Sequence, residues 1–303
     1  MKSRQIISSS LLLLAAIIWG FAFVAQRMGM EHIGPFLFNG IRFLMGCIIL
    51  LPVLFIIKPK EYNLLPIFSK KGIISGSLLG IVLFLAASAQ QIGMISTTAG
   101  NAGFITGLYV IFVPIFGIIV GQVVPKIIWP AALMAIFGLY LLSVNEDFLI
   151  SRGDLWVSVS AILWAVHVLM IGRFSKQSNP IFLAFQQFSI CGILSIITAF
   201  LIEQVNMGEI IMTWGPLLYG GILSVGVAFT LQIAGQKNAH PASASLLLSS
   251  ESLFAAIGGW LVLNEKMSFR AIIGSALILS GIVLVQIFQN YKRKSGTLKE
   301  IKI

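Results

Sequence analysis

Two ionisable side chains stand in stretches that are otherwise almost wholly apolar, Arg42 and Glu251. A charge at the centre of a bilayer costs about 2.5–3.5 kcal/mol on insertion scales, so each of the two implies either a buried partner or a task. Arg42 lies about seven residues, or roughly 10 Å, into its apolar run at 1.5 Å per residue. Glu251 lies near the middle of another run, roughly 18 Å from the same surface on the same rise. A long arginine spans much of that difference in depth. Arg42 therefore reads either as a guanidinium tied to helix-end carbonyls or as a site for an anionic substrate group. Glu251 reads either as one half of a structural pair or as a group that takes up and releases a proton or binds a cation.

Around these two stand aromatic and amide side chains that recur at fixed offsets. Trp19 and Trp164 are 145 positions apart, and Gln90 and Gln232 are 142 apart. The tryptophans are wedges between helices or aromatic walls able to stack on a substrate or hold its cation. A buried glutamine must find partners, and either a neighbouring helix or a substrate can supply them. Asn101, Tyr109 and His167, with Gln91, Gln186, Gln187, Ser249 and Ser250, add donors and acceptors at similar depths. His167 follows Trp164 by about one helical turn. It reads either as a hydrogen-bonded imidazole or as a group that titrates near neutral pH. Trp19, Gln90, Asn101, Tyr109, Trp164, His167 and Gln232 are thus the candidate substrate-binding residues, and Glu251 with Arg42 the candidate coupling pair.

These residues need helices to hold them at depth. The chain has 303 residues, of which 58% are hydrophobic and 10% charged, and its mean hydropathy is +0.99. Ten apolar runs are legible, at 6–25, 35–57, 72–93, 99–121, 127–144, 155–171, 180–202, 213–234, 241–263 and 271–288. Each is close to the length that spans a hydrocarbon core. The runs are continuous rather than alternating, which excludes a membrane barrel as the reading. The first run follows Lys2 and Arg4, as in a signal peptide, but no small-residue cleavage site follows and the run completes a repeat.

That repeat organises the whole chain. A slide of 145 brings Ala16, Trp19, Pro35 and Phe43 onto Ala161, Trp164, Pro180 and Phe188. A slide of 142 brings Gln90, Gly93, Ala102, Phe112 and Gly117 onto Gln232, Gly235, Ala244, Phe254 and Gly259. Five helices separate the copies, so the second enters the membrane from the opposite side, a plan recurrent in secondary transporters. The expected fold is all-α integral membrane, with ten transmembrane helices as two inverted five-helix repeats. Residues 1–145 and 146–290 form the repeats, and 291–303 form a basic cytoplasmic tail.

Net charge is +10, but its placement points away from nucleic acid. Lys2, Arg4, Lys58, Lys60, Lys70, Lys71, Lys126, Arg173, Lys176, Lys237 and the tail cations from Lys292 onward fall on one side of a ten-helix threading, with Arg27, Arg152, Lys266 and Arg270 on the other. The positive-inside rule makes the rich side, with both termini, cytoplasmic. Trp129, Trp156, Trp214 and Trp260 lie toward helix ends as an interfacial belt requires. Small residues recur in the third and fourth runs, at Gly72, Gly76 and Gly80 and at Ala99, Gly103 and Gly107, as close helix packing needs. Pro114 should bend the fourth helix near Val110, and its repeat mate is Ala256, so that break is expected in one half only. Cys47 and Cys191 read as small packing residues, not as a disulfide or a metal site.

Residues 17–24 with Trp19-Gly20, residues 39–45 with Arg42, and residues 97–114, TTAGNAGFITGLYVIFVP, resemble bacterial drug/metabolite transporters with paired EamA domains. Residues 242–268, ASASLLLSSESLFAAIGGWLVLNEKMS, are similar to that family's ninth helix and the loop after it, including Glu265. The resemblance implies ten helices, cytoplasmic termini and a central cavity lined by helices one, three, four, six, eight and nine. Val123-Val124 replaces an acidic loop residue in the first half, which leaves Glu265 as a structural loop element rather than one of a paired gate.

The function expected is secondary transport by alternating access of a small metabolite such as an amino acid, in the direction of export, with proton coupling. No cofactor, metal or nucleic acid is expected, and the partners are the substrate and the lipid of a bacterial inner membrane. The chain should work as a monomer or a weak homodimer. The rival classes are a channel or scaffold and, least, a membrane enzyme, for which no nucleophile elbow or metal-ligand spacing is present among His32, His167 and His240.

Overall fold

The computed structural model describes residues 2–56, 70–143, 151–264 and 268–294. Lys58, Lys60, most of the loop between the halves, Glu265 and the end of the basic tail lie outside the described residues. Within them the chain is helical and contains no strand. The first half comprises α1 (Lys2–Gly29), α2 (Pro35–Ile56), α3 (Lys70–Met94), α4 (Ala99–Gly107), α5 (Tyr109–Ile119) and α6 (Ile128–Ser143). The second comprises α7 (Arg152–Phe174), α8 (Pro180–Ile202), the short α9 (Met207–Met212), and α10 (Trp214–Leu218), which runs into a π-helical stretch, Tyr219–Phe229. It continues through α11 (Thr230–Gln236), α12 (Pro241–Leu248), α13 (Glu251–Leu263) and α14 (Phe269–Lys294).

Nine helical spans among the described residues are long and apolar enough to cross a bilayer, and a tenth apolar helix, Ile128–Leu141, is shorter. Several "spans" are therefore composite: α4 with α5, α10 through α11, and α12 with α13 each make one crossing. Large apolar side chains such as Ile56, Phe137, Phe200, Leu201 and Phe269 are exposed around the outside. In water that surface would be a liability, whereas lipid accepts it as readily as a protein core.

Local signals set where the helices start. Pro35, Pro180 and Pro241 each occupy a first helical position, where the missing amide proton costs nothing. Asn179 caps α8, and Ser151 with Asp154 forms a capping box on α7. The Asp154 carboxylate also accepts from the Thr97 hydroxyl at 2.5 Å, tying the start of α7 to the turn before α4. Glu203, at the end of α8, accepts the backbone N–H groups of Phe36 and Leu37, both at 2.8 Å. It thereby caps α2 from the other half and offsets that helix's positive end. His240 caps α12 by accepting the Ala242 N–H at Nδ1, 3.2 Å away. Burial, and then the nearby Lys176 charge, hold its imidazole below the usual range against the pull of the Val123 carbonyl. A neutral ring keeps Nδ1 free for the cap.

The halves interlock rather than sit side by side. α2 packs on α8, α6 on α14, α3 on α7 and α8, and α1 on α13 and on the span from α10 to α11. Exchanging the halves returns the same scheme: α3 on α7 becomes the α10–α11 span on α1, and α1 on α13 becomes α7 on α5. The repeat mates Phe43 and Phe188 touch each other, with ring centroids 6.1 Å apart, and Phe229 packs on both. The glycine stripes are contact surfaces, Gly76 and Gly80 facing Gln186 and Ile190 of α8, and Gly103 and Gly107 facing Ala255 and Ser252 of α13.

The fourth crossing breaks at Leu108, between α4 and α5, close to the bend expected from Pro114. The ninth breaks as well, at Ser249 and Ser250, contrary to the expectation that only one half is interrupted. No proline is needed there, because the two serine hydroxyls donate back to the carbonyls of Leu246 and Leu247 at 2.8 and 2.7 Å. Consecutive serines that take up backbone acceptors offer the chain an alternative to the regular ladder. Leu108 and Ser250 are 142 positions apart, so the two breaks are repeat mates.

Candidate functional site

The breaks open onto a central cavity with a volume of about 40 Å³. Its wall is built by Trp19, Phe23 and Gln26 of α1, Arg42 of α2, Gln90 of α3, Thr106 and Tyr109 at the break between α4 and α5, and Trp164 and Val168 of α7. Ser224, Phe229 and Gln232 from the eighth crossing, with Leu248 and Glu251 at the ninth-crossing break, close it. Seven of the nine sequence candidates, Arg42 and Glu251 among them, are thus on one wall. Asn101 and His167 are not. Asn101 sits in the first turn of α4, its N–H taken by the Thr98 cap. His167 is wholly buried behind Trp164 and Phe229 and meets Gln187 Oε1 through Nε2 at 2.9 Å.

Arg42 and Glu251 share the cavity without neutralising each other, since no ion pair closes between them among the described residues. The guanidinium lies over the Phe43 and Phe38 rings, 5.0 and 5.5 Å from their centroids, and donates from Nε to Asn39 Oδ1 at 3.0 Å. Two aromatic faces and one side-chain acceptor hold it without cancelling its charge. Glu251 is the first residue of α13 and 4% exposed. A carboxylate there meets the positive end of a half-helix. Its polar neighbour is the Tyr109 hydroxyl, which stands beside the carboxyl group. Tyr109 is the first residue of α5, so the two occupy the same place in the two halves.

The remaining polar wall is partly wired and partly free. Trp164 Nε1 donates to Gln90 Oε1 at 2.7 Å, Gln90 Nε2 donates to Gln26 Oε1 at 2.8 Å, and Gln26 Nε2 donates to Ala22 O at 3.1 Å. Trp19 Nε1 donates to the Ser224 carbonyl at 3.1 Å. By contrast, the Thr106 hydroxyl and the Gln232 carboxamide oxygen are buried and without partners. Buried polar atoms are nearly always satisfied, so Thr106 and Gln232 offer a bound molecule or water two groups to pair with.

Sequence reasoning missed Gln26 because the first apolar run was read as ending at residue 25, whereas α1 continues to Gly29 and keeps Gln26 inside. It also missed the second helix as a wall element, although Arg42 had been singled out. Thr106, Ser224 and Phe229 carry no local signal, since only their place at the break or in the π-helical stretch gives them significance.

A helical multi-pass membrane protein, built of two similar halves about a partly unsatisfied polar cavity, is the class that this architecture defines. The chain belongs to the EamA-like transporter family, of the drug/metabolite transporter superfamily, whose pattern it matches twice, over residues 6–144 and 151–287. It is 31% identical over 278 residues to a protein of Archaeoglobus fulgidus named an uncharacterized transporter, covering 91% of this chain and 84% of that one. It is 26% identical over 277 residues to the Bacillus subtilis uncharacterized transporter YoaV, covering 88% and 92% respectively. A solved crystal structure superposes with a TM-score of 0.74 at 18% identity, covering 93% of this chain and 96% of the other, a likeness of fold alone.

Proposed function

We propose that this chain is a secondary transporter that moves a small metabolite, such as an amino acid or a related compound, by alternating access of its central cavity. The observation that carries this reading is the wall itself: partnerless Thr106 and Gln232 atoms, together with Arg42 and the Tyr109–Glu251 pair, which form no ion pair with each other. A zwitterion satisfies such a wall. Arg42 takes the anionic end, Glu251 with Tyr109 takes the cationic end, and Trp19 and Trp164 contact the body of the substrate. Glu251 doubles as the proton-coupling group, at the interrupted helix where transporters commonly keep their coupling sites.

The exchangeable packing of the halves and the odd number of crossings between them support an inverted repeat, and the distribution of cations supports cytoplasmic termini in a bacterial inner membrane. Export is the direction we assign, and a monomer or weak homodimer the working unit. The relatives are transporters by name.

The test is counterflow. Purified protein in liposomes loaded with unlabelled amino acids, amines or sugars should show transient, saturable uptake of the matching labelled compound. Flux that rises linearly with concentration and shows no counterflow would identify a channel and overturn the proposal.

A further inference from the structure

Trp19 and Trp164 are repeat mates, but they are held unequally. The Trp164 indole donates to Gln90, which leans in turn on Gln26, so a chain of hydrogen bonds joins α7 to α1 through α3. The corresponding acceptor for Trp19 is Gln232, which stands 142 positions after Gln90. Trp19 does not use it and donates to the Ser224 backbone carbonyl instead. Gln232 is left 2% exposed, with its carboxamide oxygen unpartnered, on the wall that Trp19 also lines.

The backbones are unequal in the same place. Ser224 belongs to the π-helical stretch Tyr219–Phe229, whereas the mated stretch 77–87 is regular α-helix within α3. A π-helical stretch is wider than an α-helix and rare at this length, and such departures cluster at functional sites. Rewinding it as α-helix turns everything that follows about the helix axis. Phe229 ends the stretch and Gln232 lies one turn beyond. Both indoles rest on Phe229, with centroids 4.7 Å away for Trp19 and 5.9 Å for Trp164, so a turn of that residue is felt by both.

We infer that the Trp164–Gln90 and Trp19–Gln232 pairs close alternately in the transport cycle. The structure holds the state in which the first pair is closed and the second open. In the oppositely facing state the π-helical stretch rewinds, Trp19 passes from the Ser224 carbonyl to Gln232 Oε1, and Trp164 leaves Gln90. The glutamines act through the indoles and are positioning residues. This inference rests on the alternating-access reading and adds to it the contacts that distinguish the two states.

The experiment reads which way the cavity faces. Thr106→Cys, in a background carrying Cys47→Ala and Cys191→Ala, places a reporter thiol on the cavity wall. A membrane-impermeant maleimide is applied to right-side-out and to inverted vesicles, and the ratio of the two labelling rates is taken. Gln90→Met should shift that ratio away from the state described here and Gln232→Met toward it, each by about threefold or more, the effect of losing one net hydrogen bond. Trp164→Phe, which removes the same bond from the other side, should reproduce the Gln90→Met shift. Gln232→Asn, whose amide falls short, should reproduce that of Gln232→Met, so a misfolded variant does not leave the question open. Shifts in the same direction, or no shift although the wild-type reporter is reached from both sides, would overturn the inference while leaving alternating access standing. Loss of substrate protection at Gln232→Met with an unmoved ratio would make Gln232 a ligand only, and would overturn it too. A reporter reached from one side in every variant sinks alternating access itself, and the inference with it.

Discussion

Glu251→Gln is expected to lose proton-driven accumulation while retaining some substrate binding and exchange, at a raised apparent KM because the amide no longer offers the cationic end a charge. The amide keeps the shape of the carboxyl at the head of α13, but it can neither take up nor release a proton. In liposomes with an imposed pH gradient the wild-type protein should concentrate substrate, whereas the variant should only equilibrate it, and counterflow should survive. The absence of an ion pair with Arg42 sharpens the expectation. A structural pair would make Arg42→Met and Glu251→Gln fail alike, in folding. Here Arg42→Met should raise the apparent KM with protein yield maintained, because what it removes is a ligand for the anionic end. Should Glu251→Gln accumulate substrate with the wild-type pH profile, the coupling role is excluded.

The largest loss of stability is expected at a residue with no side chain. A Cβ at Gly20 would stand 2.2 Å from Phe254 Cβ and 2.7 Å from the Glu251 carbonyl oxygen, both fixed parts of α13. Nothing there is the flexible end of a side chain, so Gly20→Ala must push α1 away from α13, and overpacking of this kind costs about 1–3 kcal/mol or more. The displaced segment carries Glu251, so transport should fall together with stability. Thermal unfolding in detergent followed by size exclusion measures the first and counterflow the second. Gly215→Ala is the control, since a Cβ at Gly215 meets nothing within 4 Å and should leave both unchanged. Equal behaviour of the two variants would show that the contact between α1 and α13 yields freely.

Most of the architecture was legible because bilayer physics is simple. A run of about 20 apolar residues has few other uses, and ends marked by Pro35, Pro180 and Pro241 fixed where several helices start. The site was legible in part for a related reason: a charged or amide side chain at depth is costly enough to stand out, as Arg42, Glu251, Gln90 and Gln232 do. Asn101 and His167 show the limit of that signal. Depth in the sequence does not say which face of the helix a residue occupies, and these two lie off the cavity wall. The second helix break was illegible because no proline marks it, and Ser249 and Ser250 break the ladder through their hydroxyls. The π-helical stretch left no trace in composition, since its residues are as apolar and small as those of α3.

Tyr109 and Glu251 stand at one and the same position of the duplicated plan, yet only one of them is a carboxyl group. A duplication that kept the acid in both copies would give the cavity two exchangeable charges, and a cycle able to spend either one or two. With a phenol in the first copy, the coupling role proposed for Glu251 implies one proton per turnover. For a zwitterionic substrate the steepest gradient the carrier can sustain then equals the electrochemical gradient of a single proton, and the reversal potential of reconstituted protein should report a stoichiometry of one. On that proposal a single difference between the two halves sets the thermodynamic ceiling of the transporter.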